Sequence, residues 1–325
     1  MQPTNAMSRF RDRLSLPLIA APMFLVSGIE LVVAACRNGV IGAFPTVNCR
    51  TPPELDRWLT EIADRLRGYR DADGRTPAPV CPNLIVHRSN ARLDQDLAVL
   101  LRHRPEIVIT SVGSPAQVVA PLHEAGALVL ADVASIRHAE RAVAAGADGL
   151  VLLTAGAGGQ TGWLNPFAFV RAVRAFFDGP IVLAGGISDG HALRAAEVLG
   201  CDLAYMGTKF IATRESMAAE RYKAMLVEAS ADDILLTSAF TGLKTSMLRP
   251  SIVAAGLDPD DLPQRGAIDI GRDIDIGARD DRPKRWRDIW SAGHSTSGVR
   301  DIPAVAELVA RTRDEYRAAD PQSAA

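Results

Sequence analysis

Two short segments carry the residue types that can hold a phosphate. Ala184-Gly185-Gly186-Ile187-Ser188-Asp189-Gly190 and Met206-Gly207-Thr208-Lys209-Phe210 each follow a short apolar run. Glycine lets backbone N–H groups approach an anion closely, and the start of a helix adds partial positive charge. Thr208 offers a hydroxyl, and Lys209 either adds charge or faces solvent. A single glycine pair reads most simply as a turn. Two such loops after neighbouring strands, where α/β barrels commonly bind phosphate, point to a bound phosphate instead. The dinucleotide fingerprint GxGxxG is missing after the first strand, where Ala20-Ala21-Pro22-Met23 stands, so a Rossmann domain has little support.

A second group of residues suits a planar ring such as an isoalloxazine. Pro22 stiffens the loop after the first strand, so that Met23 can lay its backbone flat against a ring. Asn83, in the third strand, has an amide that both donates and accepts. Thr110-Ser111 and Asp132 end the fourth and fifth strands. The longest signal is Thr154-Ala155-Gly156-Ala157-Gly158-Gly159-Gln160-Thr161-Gly162, after the sixth strand. So dense a run of glycine is expected to form a tight loop against a ligand rather than to serve packing, with Gln160 projecting from it. His87, just past the third strand, is a candidate catalytic residue, as Gln160 is, if it faces the ring; otherwise it caps its loop beside Arg88-Ser89-Asn90. His294 is a weaker candidate, His191 is expected to start a helix, and His103, His123 and His138 read as surface residues. No spacing suits a metal site.

These residues need a scaffold that gathers strand ends on one face. Short β-branched or Leu-rich runs alternate with Ala-rich amphipathic runs, the pattern of a parallel sheet covered by helices. Eight units can be read, with strands at 16–21, 40–43, 80–86, 107–110, 128–131, 149–153, 181–184 and 203–206. Helices are expected near 29–38, 53–67, 93–102, 116–125, 136–145, 166–177, 190–199 and 215–229. Several helices end at a glycine before the next strand, as at Gly39, Gly126 and Gly146. Eight such units predict an α/β fold, a (β/α)8 barrel over 1–230, with an open eight-stranded sheet as the alternative. Residues 231–325 are expected to form an irregular cap, with a short helix near 250–255 and a closing helix near 305–317 packed on the barrel.

Composition limits the function classes. Hydrophobic residues make up 48% of the 325-residue chain and the net charge is −2, so the core is large and no nucleic-acid or membrane patch is expected. Cys36, Cys49, Cys81 and Cys201 are too scattered for a zinc or redox pair. The first residues lack the apolar core of a signal peptide, and no apolar run is long enough to span a bilayer. A cytoplasmic location is therefore expected. A small-molecule substrate is the expected partner, and a homodimer is left open.

The motifs together resemble the nitronate monooxygenase family, formerly called 2-nitropropane dioxygenases, and are similar to the related flavin-dependent NADH:quinone reductases and enoyl reductases. The resemblance covers most of the chain: Ala21–Met23, Asn83, Ala155–Gly162, Ala184–Gly190, Met206–Ser216 and Ile289–Gly293. It implies FMN as cofactor. Ala21, Pro22 and Met23 would meet the ring, Asn83 its edge, and Gly158 and Gly159 the ring or ribityl chain. Gly185, Gly186, Gly207 and Thr208 would hold the phosphate, with Met206 and Asp132 also on the cofactor. One position departs. The family usually carries His where this chain has Gln160, and glutamine takes up no proton near pH 7. An already ionised nitronate needs no such base. The resemblance thus implies oxidation of alkyl nitronates with O2. The alternative is an NAD(P)H-dependent reductase of quinones or enoyl thioesters, which needs hydride delivery rather than a base. A non-redox phosphate-binding barrel, such as a Schiff-base lyase, would have to use Lys209 and has least support.

Overall fold

The computed structural model describes residues 6–262 and 287–320. Eight parallel strands close into a barrel, which excludes the open sheet. They are β1 (Leu18–Ala20), β2 (Ile41–Pro45), β3 (Val80–Ile85), β4 (Ile107–Ser111), β5 (Leu128–Val133), β6 (Gly149–Leu153), β8 (Ile181–Ala184) and β9 (Leu203–Met206). The barrel closes through β1, whose Leu18, Ile19 and Ala20 pair with Ala204, Tyr205 and Met206 of β9. The strands are short apolar runs because both faces are buried, one under helices and one inside the barrel. Period-two alternation separates the two sets. Ile19, Ile41, Cys81, Ile109, Leu130, Val151, Val182 and Leu203 point inward and form one cluster. Leu150, Leu152, Leu183, Ala204 and Met206 point outward, under the helices. A 3-10 helix at Ala6–Arg13 closes the N-terminal end by adding Met7 and Phe10 to the inner cluster.

The next inward position along several strands is the one that matters for function. Two residues beyond Cys81, Ile109, Leu130 and Leu203 stand Asn83, Ser111, Asp132 and Tyr205. At this level the barrel interior turns from apolar to polar.

Outside the barrel lie α1 (Ile29–Arg37), α2 (Pro52–Leu66), α3 (Leu93–His103), α4 (Ala116–Glu124), α5 (Ile136–Ala144), α6 (Pro166–Arg174) and α7 (Gly190–Leu199). Gly39, Gly126 and Gly146 have positive φ, as expected of glycines that turn the chain back from helix to strand. The region after β9 departs from the sequence reading. Instead of one helix near 215–229 there is a single turn, α8 (Thr208–Ile211), and then α9 (Glu220–Glu228). The outer ring between α7 and α1 is filled by α11 (Val305–Ala318), whose Val305, Leu308 and Val309 bury against the barrel side.

The cap is more regular than expected. The antiparallel pair β10 (Ile234–Thr237) and β11 (Thr245–Leu248) is joined by β7 (Gly159–Gln160), which comes from the long loop after β6. The short helix α10 (Arg249–Ala254) follows. Residues 263–286 of the expected cap lie outside the described residues. No helix among the described residues is long and apolar enough to cross a membrane. All four cysteines are buried and free.

Candidate active site

A cavity of about 240 Å3 opens over the C-terminal end of the barrel. Its rim is built from the loops after β1, β6, β8 and β9. Its floor is the polar layer of the interior, and its roof is the cap. Of the residues expected at a site, Ala21, Pro22, Met23, Asn83, Asp132, Gly158, Gly159, Gln160, Gly185, Gly186, Gly207 and Thr208 all line it.

Two do not. Met206 points outward into the helix-packed core, and its carbonyl accepts from Ala21 N at 3.1 Å, so it braces the rim from behind. His87 is held in its own loop: its Nδ1 lies 2.8 Å from Ser89 Oγ and accepts the Ser89 N–H at 3.2 Å. It is therefore a loop-capping histidine, and the catalytic role considered for it has no geometric basis. The other histidines also stay outside. His294 is exposed and packs on Gly156, His191 is exposed at the start of α7, and His103 and His123 bind Asp56 and Asp148.

The loop after β1 is set by a residue that motif reading passes over. Asn48 accepts from Leu25 N at 2.9 Å and donates to the carbonyls of Met23 and Ser27 at 3.1 and 2.8 Å. Leu25 sits at a φ of 61°, unusual for a branched side chain, and is tolerated because Asn48 ties the backbone on both sides. Asn48→Ala is expected to cost about 2 kcal/mol, because the Leu25 N–H and the Ser27 carbonyl lose the Asn48 amide while the Met23 carbonyl keeps only its bonds from Val26 N and Ser27 N. Urea unfolding checks this, and a variant as stable as the parent would show that the clamp is dispensable.

The long glycine loop corrects one expectation, because most of its glycines do serve packing. A Cβ on Gly158 would lie 2.8 Å from Gly293 N, one on Gly156 2.8 Å from His294 Nδ1, and one on Gly162 2.4 Å from the Leu153 carbonyl. Gly293 in turn would meet the Gly156 carbonyl at 2.5 Å. Two glycine stretches thus pass backbone to backbone, which carries Ser291, Ala292 and Ser295 to the cavity wall. Gly159 is the glycine of this loop with open space around it and a φ of 68°.

The other two loops differ from each other. Gly185 is required by packing, since its Cβ would meet Thr154 Oγ1 at 2.4 Å. Gly186, at a φ of 74°, has nothing within 4 Å, and Gly207 has only ordinary contacts of 3.6 Å with Ala21 and Met23. Packing gives no reason for glycine at 207; space for a ligand does. Thr208 Oγ1 accepts from Gly293 N at 3.0 Å, so its own O–H remains to donate. Lys209 turns away and donates to the Gly298 carbonyl. Among the described residues no Lys, Arg or His lines the cavity, so an anion held here meets backbone amides and hydroxyls.

Tyr205, Tyr222 and Ser295 also line the cavity and were missed by motif reading, and so does Trp290, which lies in the Ile289–Gly293 motif but was given no role. Tyr222 and Trp290 stack at 4.9 Å and 9°, and Tyr222 donates to the Ser291 carbonyl, forming a rigid aromatic wall. Counting by twos from Leu203 would have found Tyr205. Long-range pairing brings in the rest, and no local signal marks it. On the floor, Ser111 donates to Asn83 Oδ1 at 3.0 Å, which leaves the Asn83 amide N–H groups for a ligand. Loss of water around Asp132 pushes its carboxyl up to about 8. Among the described residues no cluster of His, Cys, Asp or Glu is placed to hold a metal.

Fold and site together define a ligand-binding (β/α)8-barrel enzyme with its cavity at the C-terminal strand ends. The sequence profile of the nitronate monooxygenase family matches residues 54–313. The chain belongs to that family and is an oxidoreductase. It is 32% identical to a nitronate monooxygenase of Pseudomonas aeruginosa, covering 93% of this chain and 96% of that one. It is 29% identical to one from Paraburkholderia phytofirmans, covering 93% and 92%. A nitroalkane oxidase structure from Streptomyces ansochromogenes has the same fold, with a TM-score of 0.78 at 24% identity over 97% of this chain and 99% of that one.

Proposed function

We propose that the protein is an FMN-dependent oxidoreductase that oxidises alkyl nitronates with O2. The residues fit the cofactor. Gly186 and Gly207 leave open space on the phosphate side, while Asn83, Asp132 and Tyr205 present polar atoms that the protein leaves unpaired or available. When bound, FMN supplies the two-electron redox chemistry. The protein holds its phosphate at Gly185, Gly186, Gly207 and Thr208 and orients the ring edge through Asn83. The Tyr222–Trp290 wall and the β7–β11 roof exclude water.

The observation that carries the substrate reading is Gln160. It sits in the roof, fixed by its strand pairing to Thr245, in a cavity that no histidine, lysine or cysteine among the described residues lines. The one carboxyl among the described lining residues, Asp132, is on the floor. A carbon acid needing deprotonation would find no base at the roof. A nitronate arrives already ionised, and the Gln160 amide N–H groups can bind its oxygens.

The same glutamine favours a second reading, an NAD(P)H-dependent reductase of quinones or enoyl thioesters. Anaerobic mixing of the FMN-loaded enzyme separates the two. A small alkyl nitronate is expected to bleach the flavin within a turnover, and NADH and NADPH are not. Bleaching by NAD(P)H alone would decide for the reductase. The cytoplasm is the compartment proposed for either activity.

A further inference from the structure

The floor of the cavity holds two polar atoms that the protein itself leaves unsatisfied. Asp132 Oδ1 and Tyr205 Oη are both enclosed, and neither has a hydrogen-bond partner. Both side chains line the cavity. Tyr205 is only 8% exposed. They come from different strands, β5 and β9, at the polar layer of the barrel, close enough for Asp132 to act on the Tyr205 phenol electrostatically. Buried polar groups are as a rule paired, because an unmade hydrogen bond away from water is costly. Two orphans on one cavity floor are explained if a ligand supplies their partners.

The surroundings decide which form of Asp132 is held. The titratable groups facing it are the Tyr205 phenol and the Cys81 thiol of β3. Neither carries positive charge, and among the described residues no Lys, Arg or His lines the cavity. Ser111 is engaged with Asn83 Oδ1, and the Asn83 amide N–H groups, the remaining neutral donors on the floor, carry no charge. Among the described residues no positive charge compensates an ionised carboxylate here.

We propose that Asp132 and Tyr205 form a hydrogen-bond-donating floor beneath the bound flavin, and that the site takes FMN only while Asp132 carries its proton. This rests on the FMN reading above. A neutral carboxyl donates its O–H to an acceptor on the ligand, whereas a carboxylate offers only acceptors and repels the anionic phosphate in the same cavity. Burial places the carboxyl near 8 in the ligand-free protein, so it is protonated below that pH and ionised above it. FMN binding is then tight at neutral pH, is lost as pH rises past that point, and draws in a proton in the alkaline range.

The test is a fluorescence titration of FMN into apoprotein from about pH 6.5 to pH 9.5. Parent Kd is expected to stay level to about pH 8 and then to rise at least tenfold by about pH 9.5. Asp132→Asn, which cannot ionise, is expected to give a level profile, and Tyr205→Phe a several-fold weaker Kd with the parent's profile. Ionisation of the FMN phosphate is common to all three proteins and cancels in the comparison. Calorimetry of the parent in two buffers at about pH 9 gives the same answer without a variant, with close to one proton taken up per FMN bound. Equal pH profiles in parent and Asp132→Asn, or no proton uptake, would overturn the proposal and leave the FMN reading standing. Failure of the parent to bind FMN at any pH would remove both.

Discussion

Replacing Gly190 by alanine is expected to destabilise the protein by about 3 kcal/mol or more, against the usual sign for this change. Within a helix Gly→Ala ordinarily stabilises by about 1 kcal/mol. Here the added Cβ would lie 2.1 Å from Tyr316 N, 2.3 Å from the Thr312 carbonyl and 2.6 Å from the Glu315 carbonyl carbon. All three are backbone atoms of α11, so no side chain can swing aside. Two helices must separate, and overpacking of this kind costs about 1–3 kcal/mol and occasionally more. The helix pushed away is the one that completes the outer ring, with Val305, Leu308 and Val309 buried against the barrel. It also receives the first amide of α7, since Gly190 N donates to the Glu315 carboxylate at 3.0 Å. The effect should therefore reach the Gly185–Asp189 loop that precedes α7. Urea unfolding measures it. A Gly190→Ala protein within about 0.5 kcal/mol of the parent would mean that the contact between α7 and α11 is looser than described.

Gly207→Val is expected to do the opposite: little to stability, much to binding. The backbone at 207 has a φ of −103°, which any residue adopts, and a Cβ there makes only ordinary contacts. The folding cost should stay within about 1 kcal/mol. Yet Gly207 borders the cavity beside Thr208, so a side chain placed there takes up ligand volume. FMN affinity is expected to fall about 100-fold, equivalent to about 2.7 kcal/mol of binding. Read together, an unchanged unfolding midpoint and a weakened Kd separate a glycine kept for a ligand from one kept for packing. Parent-like affinity would remove the phosphate from this loop.

The contrast between these two glycines shows how far the sequence could be read. The barrel strands are short apolar runs at regular spacing, and their ends at Ala20, Ile85, Val133 and Ala184 could be located to within about two residues from pattern alone. The polar rim residues followed because barrel strands place their C-terminal ends on one face. A glycine's reason is not written in its neighbours along the chain. Gly156, Gly158 and Gly162 looked like ligand glycines, but the first two let backbone segments more than 120 residues apart pass in contact, and Gly162 lets its loop pack on the Leu153 and Ala134 carbonyls. The same holds for His87, whose partner Ser89 was adjacent in sequence although the direction of the ring was not. Asn48 and Tyr222 act through turns and cap packing that no motif records. The C-terminal helix was legible as a helix, but its place in the ring depends on what the chain does between β9 and residue 305.

The central claim is that the glycine-bordered cavity over the barrel holds one FMN, bound without a covalent link. Native mass spectrometry of the parent protein and Gly207→Val, each incubated with FMN, tests it most directly. The parent is expected to carry one FMN, released on denaturation, and Gly207→Val to be largely bare while keeping the parent's unfolding midpoint. A parent protein that takes up no FMN, or a Gly207→Val protein that retains it fully, would contradict the account.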